Sequence, residues 1–437
     1  MTVVAGHDRR TASNRRVLIS SFIGSVVEWY DFLLYGTASA LVFNVLFFPE
    51  LSSAAGTIAA FGTLAVGYLA RPLGGIVFGH FGDRIGRKRM LVASILLMGL
   101  STLGIGLLPT FDQIGIWAPI LLIALRLVQG FAVGGEWGGA VLMTLEHAGA
   151  GRRGLWSSVA QIGSPAGLLL STAAFSLVAA LPEEQFLSWG WRLPFIATVV
   201  LIGVGLFIRL GVAESPVFEQ AEARTADRPK APILTLMREQ PKDALLATLI
   251  GFGPFAANSV LISFVVSYAA QVGFSRAEAL NGLIVGSVAS MIGVPLFAAL
   301  SDRIGRRPVY LTGALLLGLN AFLLFPLVNT GSPGLLLLAF ALGMGTHAIM
   351  FGPMGALLSE LFGTRTRYTG ASVGYQVASV IGGGLAPLIA GSLLAAAGGA
   401  PNAIYISVFM AATCAVTAVA AWLARETYRS DLTAEPS

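Results

Sequence analysis

Twelve apolar stretches, each long enough to cross a lipid bilayer, follow one another along this chain and leave little sequence between them. They lie near residues 17–47, 56–80, 90–109, 115–145, 155–181, 191–212, 243–271, 278–300, 309–329, 334–361, 367–397 and 402–424. At roughly 20 residues per spanning helix, twelve spans take up about 240 residues. The chain has 437, so a single-anchor protein is ruled out. Only 11% of its residues are charged, less than half the share that a soluble surface carries. The expected fold class is an all-α integral membrane protein of twelve transmembrane helices. The apolar run from Val17 to Phe48 is far longer than a signal-peptide core, so the first span is expected to stay in the mature chain.

Charge placement sets the orientation. With the N-terminus inside, all 27 lysines and arginines fall in cytoplasmic segments except Arg71 and Arg126, within spans, and Arg192 and Arg276, outside. The positive-inside rule then places both termini in the cytoplasm and the chain in the plasma membrane of a cell. The formal charge of +5 is therefore an orientation signal, and no nucleic-acid partner is expected. The single cysteine, Cys414, excludes an internal disulfide and makes thiol-ligand metal chemistry improbable. No cofactor or metal is expected.

One long polar break carries Pro216, Pro229, Pro232 and Pro241 and divides the spans six and six. The expected layout is a cytoplasmic tail at 1–16, a six-helix bundle at 17–213, a linker at 214–242, a second bundle at 243–424 and a tail at 425–437. The phrase Asp83-Arg84-Ile85-Gly86-Arg87-Lys88 returns as Asp302-Arg303-Ile304-Gly305-Arg306-Arg307, and Glu146 and Gln161 are echoed by Glu360 and Gln376. The echoes share nearly one offset, half the chain, which marks a tandem duplication of a six-helix unit. Parallel repeats of this kind suit alternating access, with the site between two pseudo-symmetric six-helix bundles.

The stretch from Gly79 to Lys88 resembles the loop signature of the major facilitator superfamily, and Arg126-Leu127-Val128-Gln129-Gly130 resembles a second motif of its first half. In the C-terminal copy of the loop phrase, Ala298 stands at the glycine position. More narrowly, Glu28 to Phe32, Arg71 to Gly75, Gly134 to Gly139 and Gly370 to Ala378 resemble the metabolite:proton symporter family. That family includes carriers of shikimate, 2-oxoglutarate, citrate, dicarboxylates, proline and betaine. The resemblance implies a major facilitator fold acting as a monomer, with a small-molecule substrate, protons and the lipid bilayer as its partners. Proton-coupled uptake of a small organic acid is the expected function, and uptake of a zwitterionic solute such as proline or betaine is the alternative.

The ionisable residues within spans are Glu28, Asp31, Arg71, Arg126, Glu136 and His347. A charge at the bilayer centre costs a few kcal/mol or more, so each needs a wet cavity or a partner. Glu28, Asp31 and Tyr35 stand at i, i+3 and i+7 on one helical face. At 1.5 Å per residue, Glu28 and Asp31 lie about 17–21 Å from the cytoplasmic end of their span, Arg71 about 14 Å and Glu136 about 14–15 Å, with Arg126 about 15 Å further out along its own span. A cluster of the three carboxylates with Arg71 is therefore expected, and Arg126 apart from it. Burial raises a carboxyl's pKa and a guanidinium lowers it, so making and breaking such contacts can carry protons. A static ion pair joining the helices is the plainer reading.

Arg126 has the geometry to grip a carboxylate, either of the substrate or of a coupling residue. Gln129, Tyr35, Gln161, Asn258 and Gln376 are further candidates for lining the cavity, although interhelical hydrogen bonds use the same residue types. The repeated loop, through Gly79, Asp83, Arg84, Arg87, Asp302, Arg303 and Arg306, is expected to act as a gate by ion pairs and helix-dipole contacts. Topology determination alone is its bland reading. Gly370-Ala371-Ser372-Val373-Gly374 matches a nucleophile-elbow pattern, but that elbow needs a strand-to-helix turn and this stretch lies in a span. No enzyme activity is expected.

Overall fold

The computed structural model describes residues 2–85, 87–134, 136–146, 148, 151–210, 232–363 and 366–429, and every regular element among them is helical. The spanning helices are α1 (Thr2–Ala38), α2 (Ser53–Ile85), α3 (Arg87–Leu107), α4 (Trp117–Leu142), α5 (Arg153–Ala179) and α6 (Gly190–Phe207). The second set is α7 (Pro241–Gln271), α8 (Arg276–Ile304), α9 (Arg306–Asn329), α10 (Pro333–Glu360), α11 (Arg367–Ala396) and α12 (Ile404–Leu423). Among the described residues, ten helices are long and apolar enough to cross a membrane by themselves. The remaining two are α1, whose run is interrupted by Glu28 and Asp31, and α3, whose apolar part is Val92–Leu107.

The ends of the spans fall within a few residues of the sequence expectation, with two differences. Helix α1 begins at Thr2, so the polar segment read as a tail is continuous with the first span. Residues 211–231, the last three of the expected first bundle and 214–231 of the expected linker, lie outside the described residues. A short helix, Pro232–Glu239, follows them, and α7 starts at Pro241. Proline suits that first turn because its missing N–H would have no helical partner.

Lipid contact decides which faces stay apolar. Leu177 and Phe207 are 80% and 81% exposed, as are many other large aliphatic residues to a lesser degree. Between helices the hydrophobic effect offers no preference over lipid, so close packing of small residues brings them together. Glycines at the α2–α4 crossing show this directly. A Cβ on Gly130 would lie 1.9 Å from the Gly67 carbonyl oxygen, one on Gly134 1.9 Å from that of Arg71, and one on Gly74 1.8 Å from that of Phe131. The two backbones are in contact.

The packing repeats in the two sets. Helix α1 lies on α5 as α7 lies on α11, α2 on α4 as α8 on α10, and α3 on α6 as α9 on α12. The sets meet each other through α5 against α8 and α2 against α11. A π turn, Ser39–Phe43, directly follows α1, another, Val260–Phe264, lies at the corresponding position within α7, and α11 contains a third at Ser379–Gly384. The first two face each other, with the Gly36 Cβ position 3.0 Å from the Ser263 hydroxyl.

Replacing Gly130 by alanine puts a methyl group where the Gly67 carbonyl stands, and overpacking of this kind costs about 1–3 kcal/mol. Gly139, which has open space at its Cβ position, serves as the control. Thermal unfolding of the purified variants in detergent should show Gly130→Ala clearly destabilised and Gly139→Ala unchanged or slightly more stable.

Candidate transport site and its gates

Phe32 of α1 is the centre of the site. The Arg71 guanidinium carbon sits 3.8 Å from its ring centroid and that of Arg126 sits 4.1 Å from it, so the two cations share one aromatic ring. Arg71 also lies 4.4 Å from the Tyr68 ring and 6.0 Å from that of Trp29, and Arg126 lies 4.1 Å from that of Tyr35. Aromatic faces attract cations, and desolvated pairs contribute about 2 kcal/mol. The sequence spacing placed Arg126 well apart from Arg71. Their long side chains close that gap.

The polar partners of Arg126 are few. One terminal nitrogen donates to Gln129 Oε1, while Nε and the other terminal nitrogen have no hydrogen bond, and the residue is fully buried. Gln129 in turn donates to Thr102 Oγ1 at 2.8 Å and to the Asp31 carbonyl oxygen at 3.3 Å. Its amide is thus used inside the first six helices, where it positions Arg126. Tyr35 donates to Thr63 Oγ1 at 2.6 Å, which holds its ring over the same guanidinium. Gly67 leaves the room for this arrangement, because a Cβ there would lie 2.4 Å from Arg126 Nε.

Of the expected carboxylate cluster, Asp31 stands apart from Arg71. Asp31 is fully buried and accepts from Thr198 Oγ1 at 2.9 Å, with Thr102 alongside, and its other carboxyl oxygen makes no hydrogen bond. It makes no ion pair with Arg71. Phe32 intervenes, since consecutive residues on a helix point about 100° apart. Glu28 and Arg71 both act electrostatically on Tyr375 of α11. Glu136 follows a break in α4 between Val133 and Trp137 and accepts from Ser94 Oγ at 3.5 Å.

Polar contacts then cross between the two sets of helices. The rings of Trp137 and Tyr375 stack with centroids 3.6 Å apart, and Trp137 donates to Gln161 Oε1 at 2.9 Å. Gln161 donates to the Phe351 carbonyl oxygen at 3.2 Å, and Gln376 to that of Gly134 at 2.8 Å. Both glutamines therefore brace the interface in this arrangement. Asn258 lines a crevice with His347, a residue that the charge pattern noticed but gave no firm role. Phe32 and Tyr68 were missed as cation-holding rings, since an aromatic in an apolar span carries no signal of its own.

Polar contacts join the two sets at both ends of the interface. At one end, the Asp302 carboxylate of α8 accepts from the backbone N–H groups of Gly154 and Leu155, at 2.8 and 2.9 Å, in the first turn of α5. The charge meets a helix N-terminus, where an anion is most stable. Arg306 bonds to Asp302 at 2.8 Å and through two nitrogens to Glu360, each at 3.2 Å. Thr427 donates to the same Glu360 at 2.8 Å, and Glu426 accepts from the N–H groups of Arg306 and Arg307. Arg303 is exposed and stands outside this network. Ala298 is tolerated at the glycine position because the close approach uses Gly154, whose Cβ position is 2.7 Å from the Ala298 carbonyl oxygen. The side chains of Gly79, Asp83, Arg84 and Arg87 lie outside the described residues. At the opposite end, Arg276 pairs with Glu183 at 3.6 Å and covers the Phe186 ring at 4.0 Å.

This is the architecture of a membrane transporter built from two sets of six helices. Residues 17–250 match the family model "Sugar (and other) transporter" and residues 259–436 match "Major Facilitator Superfamily"; the chain belongs to the major facilitator superfamily. It is 44% identical to the shikimate transporter of Escherichia coli (strain K12), over 95% of each chain. It is 41% identical to the inner membrane metabolite transport protein YhjE of the same organism, over 96% of each. Its fold superposes on the proton:xylose symporter XylE with a TM-score of 0.77 at 19% identity, covering 97% of this chain and 98% of that one. The family consists of transporters, not enzymes, and Ser372 lies within the helix Arg367–Ala378, without the turn a nucleophile needs.

The buried cap at Asp302 predicts how that end of the interface responds to charge removal. Asp302→Asn should weaken it by about 1–3 kcal/mol, the range for a charge-assisted hydrogen bond. With Cys414 replaced by serine and a cysteine placed at the buried interface position Ser157, a water-soluble thiol reagent should react about tenfold faster in the Asp302→Asn background.

Proposed function

We propose that this protein is a proton-coupled symporter that takes up a small organic acid across the cytoplasmic membrane, with both termini in the cytoplasm and two six-helix bundles rocking about the site at Phe32. The observation that carries this reading is the buried guanidinium of Arg126, which makes no ion pair and leaves two nitrogens without hydrogen bonds. A substrate carboxylate supplies what they lack, in the bidentate form that guanidinium geometry favours. The 44% identity to a shikimate transporter supports an acidic metabolite.

Asp31 is the proposed proton carrier. Its side chain is buried and makes no ion pair, and its backbone carbonyl accepts from Gln129, the residue that holds Arg126. Loading of an anion beside Arg126 changes the electrostatic field at the nearby Asp31, which couples proton binding to substrate binding. Glu28, Arg71 and Glu136 take part in the same transfer between conformations. A membrane potential of about 150 mV adds roughly 3.5 kcal/mol for each net charge carried inward. A substrate anion moving with one proton carries none, so the pH gradient then supplies the drive.

The basic loop around Asp302 and Arg306, with its counterpart around Asp83, would form the cytoplasmic gate. The zwitterion alternative is disfavoured by the rings themselves. A quaternary ammonium needs open aromatic faces, whereas Phe32, Tyr68 and Tyr35 already hold Arg71 and Arg126.

The decisive measurement is uptake into proteoliposomes of labelled shikimate, 2-oxoglutarate, citrate, proline and betaine, with and without an imposed pH gradient. One of the acids should accumulate with the gradient, and Asp31→Asn should abolish that accumulation while leaving exchange. Arg126→Gln should weaken acid binding by about 2–4 kcal/mol, tens to hundreds of fold. Gradient-driven accumulation of betaine by an otherwise acid-blind protein would reject the reading.

A further inference from the structure

The polar neighbours of the Asp31 carboxyl belong to the first set of helices. They are the hydroxyls of Thr198 on α6 and Thr102 on α3, and all three residues are fully buried. Thr198 donates to one carboxyl oxygen at 2.9 Å, while the other oxygen makes no hydrogen bond although it is enclosed. A hydroxyl has one proton to give and two lone pairs. Thr102 gives its proton to the Met98 carbonyl oxygen, 2.9 Å away and one turn back along α3. Gln129 fixes the Thr102 oxygen close to α1, because the same amide nitrogen lies 2.8 Å from it and 3.3 Å from the Asp31 carbonyl oxygen. A buried acceptor left unmade costs free energy, so the free carboxyl oxygen and the hydroxyl beside it are the unfinished part of the arrangement.

We propose that Thr198 and Thr102 are the positioning residues of the proton site, Thr198 as a fixed tether of the carboxyl and Thr102 as a rotor that follows its charge. The proposal rests on the reading of Asp31 as the proton carrier and adds what holds that proton and lets it go. With the carboxyl protonated on its free oxygen, the acid O–H donates to Thr102 while the Thr102 proton stays on Met98. When the proton leaves, the Thr102 hydroxyl turns about its Cβ–Oγ bond and donates to the carboxylate instead. The Met98 carbonyl, inside α3, keeps its helical hydrogen bond. Either state leaves Thr102 accepting from Gln129, and no helix has to move for the exchange.

The charges around Asp31 leave this role to the hydroxyls. The titratable and charged side chains on the elements packed about it are Glu28, Tyr30 and Tyr35 of α1 itself, Tyr68 and Arg71 of α2, and Arg126 and Glu136 of α4. Residues 92–107 of α3, 155–179 of α5 and 193–207 of α6 carry none. Tyr30 uses its hydroxyl on the Pro194 carbonyl at 2.8 Å, and Tyr35 uses its own on Thr63. Both guanidinium groups lie against the Phe32 ring, and neither bonds to the Asp31 carboxyl. Hydrogen bonds to the charged form favour it, and neutral donors do so without the hold of an ion pair. Gln129 also ties the rotor to the substrate anchor, since it accepts from Arg126 and donates to Thr102.

Infrared difference spectroscopy of the purified full chain in detergent reads a protonated carboxyl through its C=O stretch and needs no substrate. The component lost in Asp31→Asn is the Asp31 band, and its disappearance as the pH is raised gives the midpoint. Each threonine is replaced by valine, which keeps the shape and loses the hydroxyl, and by serine, which keeps the hydroxyl. Removing a donor disfavours the carboxylate, so the acid keeps its proton to higher pH. Thr198→Val and Thr102→Val should each raise the midpoint by about one unit or more and move the band toward that of an acid with fewer hydrogen bonds. Both serine variants should stay close to wild type. Ser101→Ala, which removes a hydroxyl bonded to the Leu97 carbonyl on the same helix, should change neither.

A midpoint that the valine variants leave in place, or one that serine moves as far as valine, would overturn the two threonines as positioning residues while Asp31 still titrates. A wild-type Asp31 band at the frequency of a carboxyl without hydrogen bonds would do so with no threonine variant needed. A titrating spectrum unchanged by Asp31→Asn would overturn the reading of Asp31 itself, and the tether and rotor with it.

Discussion

A guanidinium held inside an apolar bundle, with one nitrogen hydrogen-bonded and two left over, is the constraint around which the first six helices are arranged. Arg126 is compatible with its surroundings because aromatic faces replace part of its hydration and Gln129 takes one of its donors. Gly67 serves two neighbours at once. Its missing side chain admits the Arg126 guanidinium, and its carbonyl lies against Gly130, so the same residue brings α2 and α4 together and makes space for the cation between them. Packing and electrostatics at the site are therefore one problem with one solution.

The two ends of the interface are joined by different chemistry. At the Asp302 end, buried charges, a helix N-terminus and the segment after α12 are linked in one network. At the Glu183 end the ion pair is largely exposed, with Glu183 76% accessible, and solvent screening leaves such pairs worth about 0–1 kcal/mol. The π turns Ser39–Phe43 and Val260–Phe264 also meet between the two sets. The two sets of helices are thus joined more firmly at the Asp302 end than at the Glu183 end.

Hydropathy made the span boundaries legible to within a few residues, because the bilayer demands long runs of apolar side chains and tolerates few interruptions. The tandem repeat was legible for a similar reason, since duplicated packing keeps duplicated phrases. The list of buried ionisable residues was also readable, yet their pairing was not. Asp31 and Glu28 stand only about 60° apart on a helical wheel, but that angle separates a neighbour on α6 from a neighbour on α11. Gln161 and Gln376, read as cavity-lining, donate to backbone carbonyls across the interface, partners that the sequence does not reveal.

The sequence by itself determined that this is a membrane-spanning chain of twelve helices, duplicated six and six, because those properties follow from composition and period along a single dimension. Which cation shares which ring, which carboxyl stands apart and which hydroxyls lie beside it are decided between helices far apart in the chain. Side-chain reach and helix rotation of a few tens of degrees settle those contacts, and only the folded arrangement of all the helices fixes both.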